Sequence, residues 1–320
     1  MRSHGSILPI WGTYLLTRRS LLWLSEQRRV FDFVRRNRLA RKFASRFVAG
    51  ETIEEGVSAA RELLRRGITS SLDFLGESVN VEAEARAARD QYLAMMDRMA
   101  AQGVEVNVSV KLTQMGLDIS EELCQANMVS ILEKARQLAG FVRLDMEGSA
   151  YTQRTLDFFR DRLFGEYGPH CGVVIQSALR RSAGDIGDLI ALKARVRLCK
   201  GAYLEPPEVA YSEKSDVDAA YVRLIERSLR GPGYTAIATH DERIIDHAIG
   251  FTEREGIARD RFEFQMLHGV RPKLQLDLAG RGFKVLVATP FGPEWFPYLM
   301  RRLAERPANL GFFLKSAVRR

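Results

Sequence analysis

"VRLCKGAYLEPPEVAY", residues 196–211, starts as a buried strand and breaks off at a cation and a glycine. Val196 to Cys199 form an apolar run with one charge in it, Arg197. Lys200, Gly201, Ala202, Tyr203 and then Pro206-Pro207 stand where the strand ends. Charge inside or at the mouth of an apolar strand is costly unless it is paired or binds something. The stretch therefore reads as one parallel strand whose C-terminal end faces a ligand.

Seven other runs of the same kind surround it: "SSLDFL" (70–75), "EVNVSVKL" (105–112), "FVRLDM" (141–146), "GVVIQSAL" (172–179), "TAIATH" (235–240), "RFEFQML" (261–267) and "FKVLVATP" (283–290). Helical patterns separate them, such as 81–103 and 182–194. The second opens with Ser182 and Asp185 at capping-box spacing, with Asp in place of the usual Glu. Nearly continuous apolar strands alternating with helices indicate a parallel sheet buried on both faces. Eight such units predict an α/β chain closed as a (β/α)8 TIM-like barrel with extra N-terminal helices. The expected division is a helical arm over 1–65 and a catalytic barrel over 66–320.

With 46% hydrophobic and 28% charged residues the 320-residue chain is of ordinary globular composition. No stretch reaches the roughly 18 apolar residues of a membrane span. The run 6–16 is short, carries Pro9 and Gly12, and has no cleavage site after it, so it does not read as a signal peptide. Cys124, Cys171 and Cys199 are too few and too irregular for a disulfide framework, which fits a reducing, cytoplasmic setting. The formal net charge is +8, and residues 1–50 hold 11 Lys and Arg against Glu26 and Asp32. That basic, Leu- and Trp-bearing segment reads either as a solvated helical arm packed on the body or as a peripheral contact with the inner face of an anionic membrane. The remaining residues are nearly balanced, and no nucleic-acid partner is expected.

Barrels of this kind carry their chemistry at the C-terminal strand ends. Polar groups stand there on six of the eight runs: Lys111; Asp145 and Glu147; Gln176; Arg197 and Lys200; Thr239, His240 and Asp241; and Gln265. The last helix adds Arg301, Arg302 and Glu305. Cations outnumber acids, so the ligand is expected to be anionic. Arg301 and Arg302 either form a surface ion-pair ladder with Glu305 or clamp a carboxylate with their planar forks. His240 and His268 lack a third strong ligand, so no metal site is expected. No G-x-G-x-x-G, G-x-x-x-x-G-K-[ST] or G-x-S-x-G motif is present. A Schiff-base or pterin-using barrel enzyme stays open through Lys111 and Lys200.

Six stretches in order resemble the proline dehydrogenase family: "SVKLTQMGLD" (109–118), "RLDMEGSAYT" (143–152), "LCKGAYLEPPEVAY" (198–211), "ATHDERI" (238–244), "FEFQMLHGVR" (262–271) and "YLMRRLAERPANLGF" (298–312). The resemblance runs from about residue 30 to the C-terminus. It implies a barrel holding non-covalent FAD, oxidation of L-proline to Δ1-pyrroline-5-carboxylate, and transfer of electrons to a membrane quinone. Carried over by position, Arg301, Arg302 and Lys111 resemble a carboxylate clamp, with Asp145 orienting it. Arg197 resembles the arginine beside the reactive flavin nitrogen. Met146, Gln176, Lys200, Gly201, Ala202, Thr239 and His240 resemble flavin contacts. Tyr203, Leu267 and Tyr298 resemble walls of the site, and Glu305 a residue that fixes the arginine helix.

One position departs from the pattern. Where relatives commonly read V-Y-V-P-Y-G, this chain has "VATPFG" (287–292), with Ala288 in place of a tyrosine that packs over the substrate ring. A smaller side chain there admits 4-hydroxyproline or another substituted proline as an alternative substrate. Gly148 is a lesser departure without a reading.

Overall fold

The computed structural model describes residues 44–305. It divides into two compact units, one spanning Ala49–Gly292 and one whose described part is residues 44–48 and 293–305.

The larger unit is a closed barrel of parallel strands in the order β1 (Thr69–Phe74), β2 (Asn107–Val110), β3 (Phe141–Leu144), β4 (Cys171–Gln176), β5 (Arg195–Cys199), β6 (Thr235–Ala238), β7 (Phe262–Leu267) and β8 (Val285–Phe291). Each strand pairs with the next in sequence, and β8 returns to β1 with Thr69 opposite Leu286 and Phe74 opposite Phe291. All eight expected runs are strands, and the (β/α)8 expectation holds. β2, β3 and β4 are buried along their whole length, as strands sandwiched between a barrel interior and a helical layer must be.

That layer consists of α1 (Ile53–Leu64), α2 (Glu82–Ala101), α3 (Glu121–Gln137), α4 (Ser149–Phe158), α5 (Ser182–Ala191), α6 (Lys214–Arg230), α7 (Glu242–Arg254) and α8 (Pro272–Gly280). α2 forms because Ala85, Ala88, Tyr92, Met95, Met96 and Met99 recur at helical spacing and bury one stripe. α1 starts at a reciprocal cap: Thr52 Oγ1 accepts the Glu55 N–H at 3.3 Å, and Glu55 Oε2 accepts the Thr52 N–H at 3.0 Å. It packs against both β1 and β8, so the barrel unit takes in the helix that precedes its first strand. α4 runs on into a π-helical turn over Phe159–Phe164.

The cap expected for α5 is absent. Ser182 lies inside the helix, whose N-cap is Arg181 with no side-chain capping bond. The Ser182 hydroxyl donates instead to the Gln176 carbonyl at 2.6 Å, and Asp185 receives Arg181 Nε at 2.8 Å. A buried carbonyl at the end of β4 and a nearby guanidinium compete successfully for the two groups.

The barrel interior is unusually polar for its class, where branched aliphatic layers dominate. Ser71 and Ser109 hydroxyls meet across β1 and β2 at 3.2 Å. Arg143, Glu263, Gln265 and Arg197 are all buried. Gly172 makes room for this filling: a Cβ there would lie 2.8 Å from the Phe141 ring and 2.5 Å from the Arg195 carbonyl oxygen.

In the smaller unit α9 (Trp295–Glu305) carries Tyr298 and Arg302, whose guanidinium lies over the Tyr298 ring at 5.3 Å.

Candidate active site

Parallel register lifts charged side chains of β1, β2, β3 and β5 to one end of the barrel. Asp73 stands opposite Ser109, and Ser109 opposite Arg143. Continuing two residues along β2 and β3 brings Lys111 and Asp145 to the mouth. Arg197 Nη1 donates to Asp145 Oδ1 at 2.7 Å, Nη2 to Ser109 Oγ at 3.1 Å, and Nε to Gln265 Oε1 at 2.5 Å. All three guanidinium nitrogens are therefore held, which fixes the plane of the fork. Lys111 Nζ lies 3.5 Å from Asp73 Oδ1 and 3.8 Å from Asp145 Oδ2.

Burial alone would depress the Lys111 ammonium. Asp73 and Asp145 outweigh it and hold that group above its ordinary range. Tyr203 contributes to the same field, which places it near the lysine. Burial raises Asp73, with Lys111 acting against the rise. Deeper in the barrel, burial and the charge of Arg197 press Arg143 down to about 9, still protonated at neutral pH. Its counter-charge is Glu263, 3.9 Å away, and Glu263 also accepts from Gln265 Nε2 at 2.5 Å. The carboxylates thus hold a stack of cations inside the barrel, one carboxylate to each cation.

The loop after β5 answers to the end of β4. Gly201 has φ +104°, in the region that favours glycine, and a Cβ there would come 2.9 Å from Gln176 Oε1. Gln176 is oriented by donation from Nε2 to the Glu147 carbonyl at 2.8 Å. Lys200 Nζ reaches Asp218 Oδ1 at 2.6 Å and Asp241 Oδ2 at 3.2 Å, so it ties the end of β5 to α6 and α7. Glu205, five residues on, accepts the Ser149 N–H at 2.8 Å and its hydroxyl, covering the N-terminus of α4.

On the far side, His240 Nε2 accepts the Leu267 N–H at 2.9 Å, and Leu267 is in register with Ala288. The Thr239 hydroxyl accepts from the Asp241 N–H at 3.1 Å. Met146 is buried beside Asp145, and Ala202 is half-buried next to Gly201. Burial holds His268 below its ordinary value. Among the described residues no three His, Cys, Asp or Glu side chains gather as a metal site would require.

Lys111, Asp145 and Arg197 are therefore brought into one connected group, and Gln176 and Gly201 into another. The side chains of Arg301 and Glu305 lie outside the described residues, and Arg302 and Tyr298 belong to the smaller unit. Asp73, Ser109, Arg143 and Glu263 complete the first group and were not singled out by sequence reasoning. Part of their signal was available: Arg143 is the one polar residue of its strand, and Asp73 and Glu263 are charges within buried strands.

Residues 57–315 match the family model described as proline dehydrogenase. The chain belongs to the proline dehydrogenase family. It is 41% identical to "Proline dehydrogenase" of Deinococcus radiodurans over 95% of this chain and 98% of that protein. It is 39% identical to "Proline dehydrogenase 2" of Bacillus subtilis over 96% of this chain and all of the relative, 100%. The bifunctional PutA of Escherichia coli matches at 29% identity, with 85% of this chain covering 24% of that protein. In fold, this family member superposes on the crystal structure of proline utilization A from Bdellovibrio bacteriovorus inactivated by N-propargylglycine, with a TM-score of 0.80 at 23% identity over 95% of this chain and 38% of that one.

Proposed function

We propose that this proline dehydrogenase family member binds FAD non-covalently at the barrel mouth and oxidises L-proline to Δ1-pyrroline-5-carboxylate. A membrane quinone is the electron acceptor. The observation that carries the reading is the Lys111–Asp145–Arg197 chain, in which cations are fixed by carboxylates at the open strand ends. The naming of its relatives as proline dehydrogenases favours proline over 4-hydroxyproline, the substrate that Ala288 had left open.

The residues suit a flat, anionic cofactor. The end of β5 offers backbone at Gly201 where a Cβ would already crowd Gln176, and Arg197 offers a guanidinium whose plane is locked by three bonds. Met146, Gln176, Lys200, Ala202, Thr239 and His240 complete the proposed cradle. Bound there, FAD supplies the hydride acceptor for the ring carbon next to the proline nitrogen. Lys111 receives the carboxylate, the role that the family resemblance also implies for Arg301 and Arg302, with Glu305 fixing their helix. Asp145 keeps Lys111 and Arg197 charged and in place. Tyr203, Leu267 and Ala288 wall the ring, a role that the resemblance implies for Tyr298 as well. Holding the substrate in a reactive pose can contribute several kcal/mol toward the barrier, on the order of 7.

Purified protein is expected to be yellow, with flavin absorbance that bleaches anaerobically on adding proline. The specificity constant should be higher for proline than for trans-4-hydroxyproline. A colourless protein that borohydride traps on its substrate would overturn the reading. Among the described residues no helix is long and apolar enough to cross a membrane, so contact with a quinone-bearing bilayer is assigned to the basic residues 1–50. Deleting residues 1–30 is expected to abolish binding to anionic liposomes; unchanged binding refutes the assignment.

A further inference from the structure

Three loops of the barrel mouth meet at one hydroxyl. Thr113 Oγ1 donates to Glu147 Oε2 at 2.7 Å and accepts the Ser78 N–H at 3.0 Å. The Thr113 N–H donates to Glu147 Oε1 at 3.3 Å, and its carbonyl accepts the Val79 N–H at 3.2 Å. Every polar group of this buried residue thus bonds to a neighbouring loop: β1–α2 on one side, β3–α4 on the other. Ser78 has φ +57°, a left-handed conformation uncommon outside glycine, asparagine and aspartate, which persists only where the surroundings hold it, and its N–H bond to Thr113 is one such hold.

The connections continue in both directions. Two residues before Thr113, the Lys111 carbonyl accepts the N–H groups of Gln114 at 3.1 Å and Met115 at 3.3 Å, so Thr113 lies inside the turn that Lys111 opens. Beyond Glu147, its carbonyl accepts Gln176 Nε2, and Gln176 Oε1 faces Gly201.

We propose that the Thr113 hydroxyl is a positioning group that holds Lys111, toward the substrate carboxylate, and the Gln176–Gly201 edge, toward the cofactor, in one frame. The proposal rests on the proline reading above. Thr113 touches neither ligand in it; its action is through Glu147 and the β1–α2 loop. A hydroxyl is required because the position both donates and accepts, which no aliphatic side chain of the same shape does.

Thr113→Val keeps the shape and removes the hydroxyl; Thr113→Ser keeps the hydroxyl. In the full chain, T113V is expected to speed amide exchange at Ser78 and Val79 by about tenfold and raise the KM for proline by about tenfold, with kcat changed less than about threefold. T113S should restore both. Glu147→Gln, which loses one of the two acceptors, should move KM the same way by about threefold, and it serves if T113V does not fold. A T113V chain matching its parent in exchange and KM, a T113S chain as impaired as T113V, or an unmoved KM in E147Q each overturns the proposal. A parent chain inactive on proline overturns the proposed function instead, and the exchange result alone then decides whether Thr113 ties the loops.

Discussion

Asp145 carries the largest residue-scale consequence, because it faces two cations at once. Replacing it with asparagine keeps the shape and leaves Lys111 and Arg197 in excess over their carboxylates. Removing one partner of a buried pair typically costs about 3–5 kcal/mol, so D145N is expected to lower the urea midpoint markedly. It should also reduce kcat/KM for proline by about tenfold or more. Glu147 gives a pH signature. Burial raises its carboxyl above the ordinary 4.5, with the Thr113 bonds and Lys111 opposing and Glu77 adding to the rise. A raised acid contributes stability that is complete below its unfolded value and lost as pH climbs through its folded one. The parent should therefore lose stability relative to Glu147→Gln as pH rises from about 4.5, and the two curves should run parallel at higher pH. Urea midpoints over a pH series measure this. Lys111 and Arg197 were legible in the sequence because charge in an apolar run is conspicuous. Asp73 and Arg143 carried the same signal but gained meaning only when closure of the barrel brought β1, β3 and β7 around a common interior. Thr113 carried no signal at all, since its neighbours come from loops 35 and 34 residues away.

At the scale of elements, the alternation of apolar runs with helical stripes was enough to place all eight strands. Their ends were less legible, for local reasons. The run 105–112 narrows to Asn107–Val110 because Lys111 already turns, its carbonyl bonded three and four residues on. By contrast, the run of Val196 to Cys199 stops where it was read, and Gly201 just beyond it takes a positive φ. That turn is open to test. Gly201→Ala forces a Cβ into the left-handed region and against Gln176 Oε1; a destabilisation of about 1–3 kcal/mol is expected, together with a weakened affinity for added FAD measured by fluorescence titration. So is the start of α1. Thr52→Ala removes one half of a reciprocal cap and should lower stability by about 1 kcal/mol in chemical denaturation. A loss near zero would mean that solvent serves the Glu55 N–H equally well.

At the largest scale, the barrel unit is organised around a seam. β1 and β8 close the ring, and α1 lies on both, with Val57 and Ala60 buried and Gly56 close to the Phe291 ring. A chain that begins at residue 66 would bare the apolar faces of both strands. It is expected to melt well below the full chain and at a lower cooperativity, as read by circular dichroism. The basic residues 1–43 lie outside the described residues, and only charge pattern speaks for them.

That clasp also sets a timetable for synthesis at the ribosome. The helix resting on the closure is made near the beginning of the chain, whereas the strand it must cover emerges some 220 residues later. At about 5–20 residues per second, α1 waits for ten seconds or more with its oily stripe uncovered. Nascent chains arrested before Val285 should therefore be the forms that chaperones seize, and release should follow the arrival of Phe291.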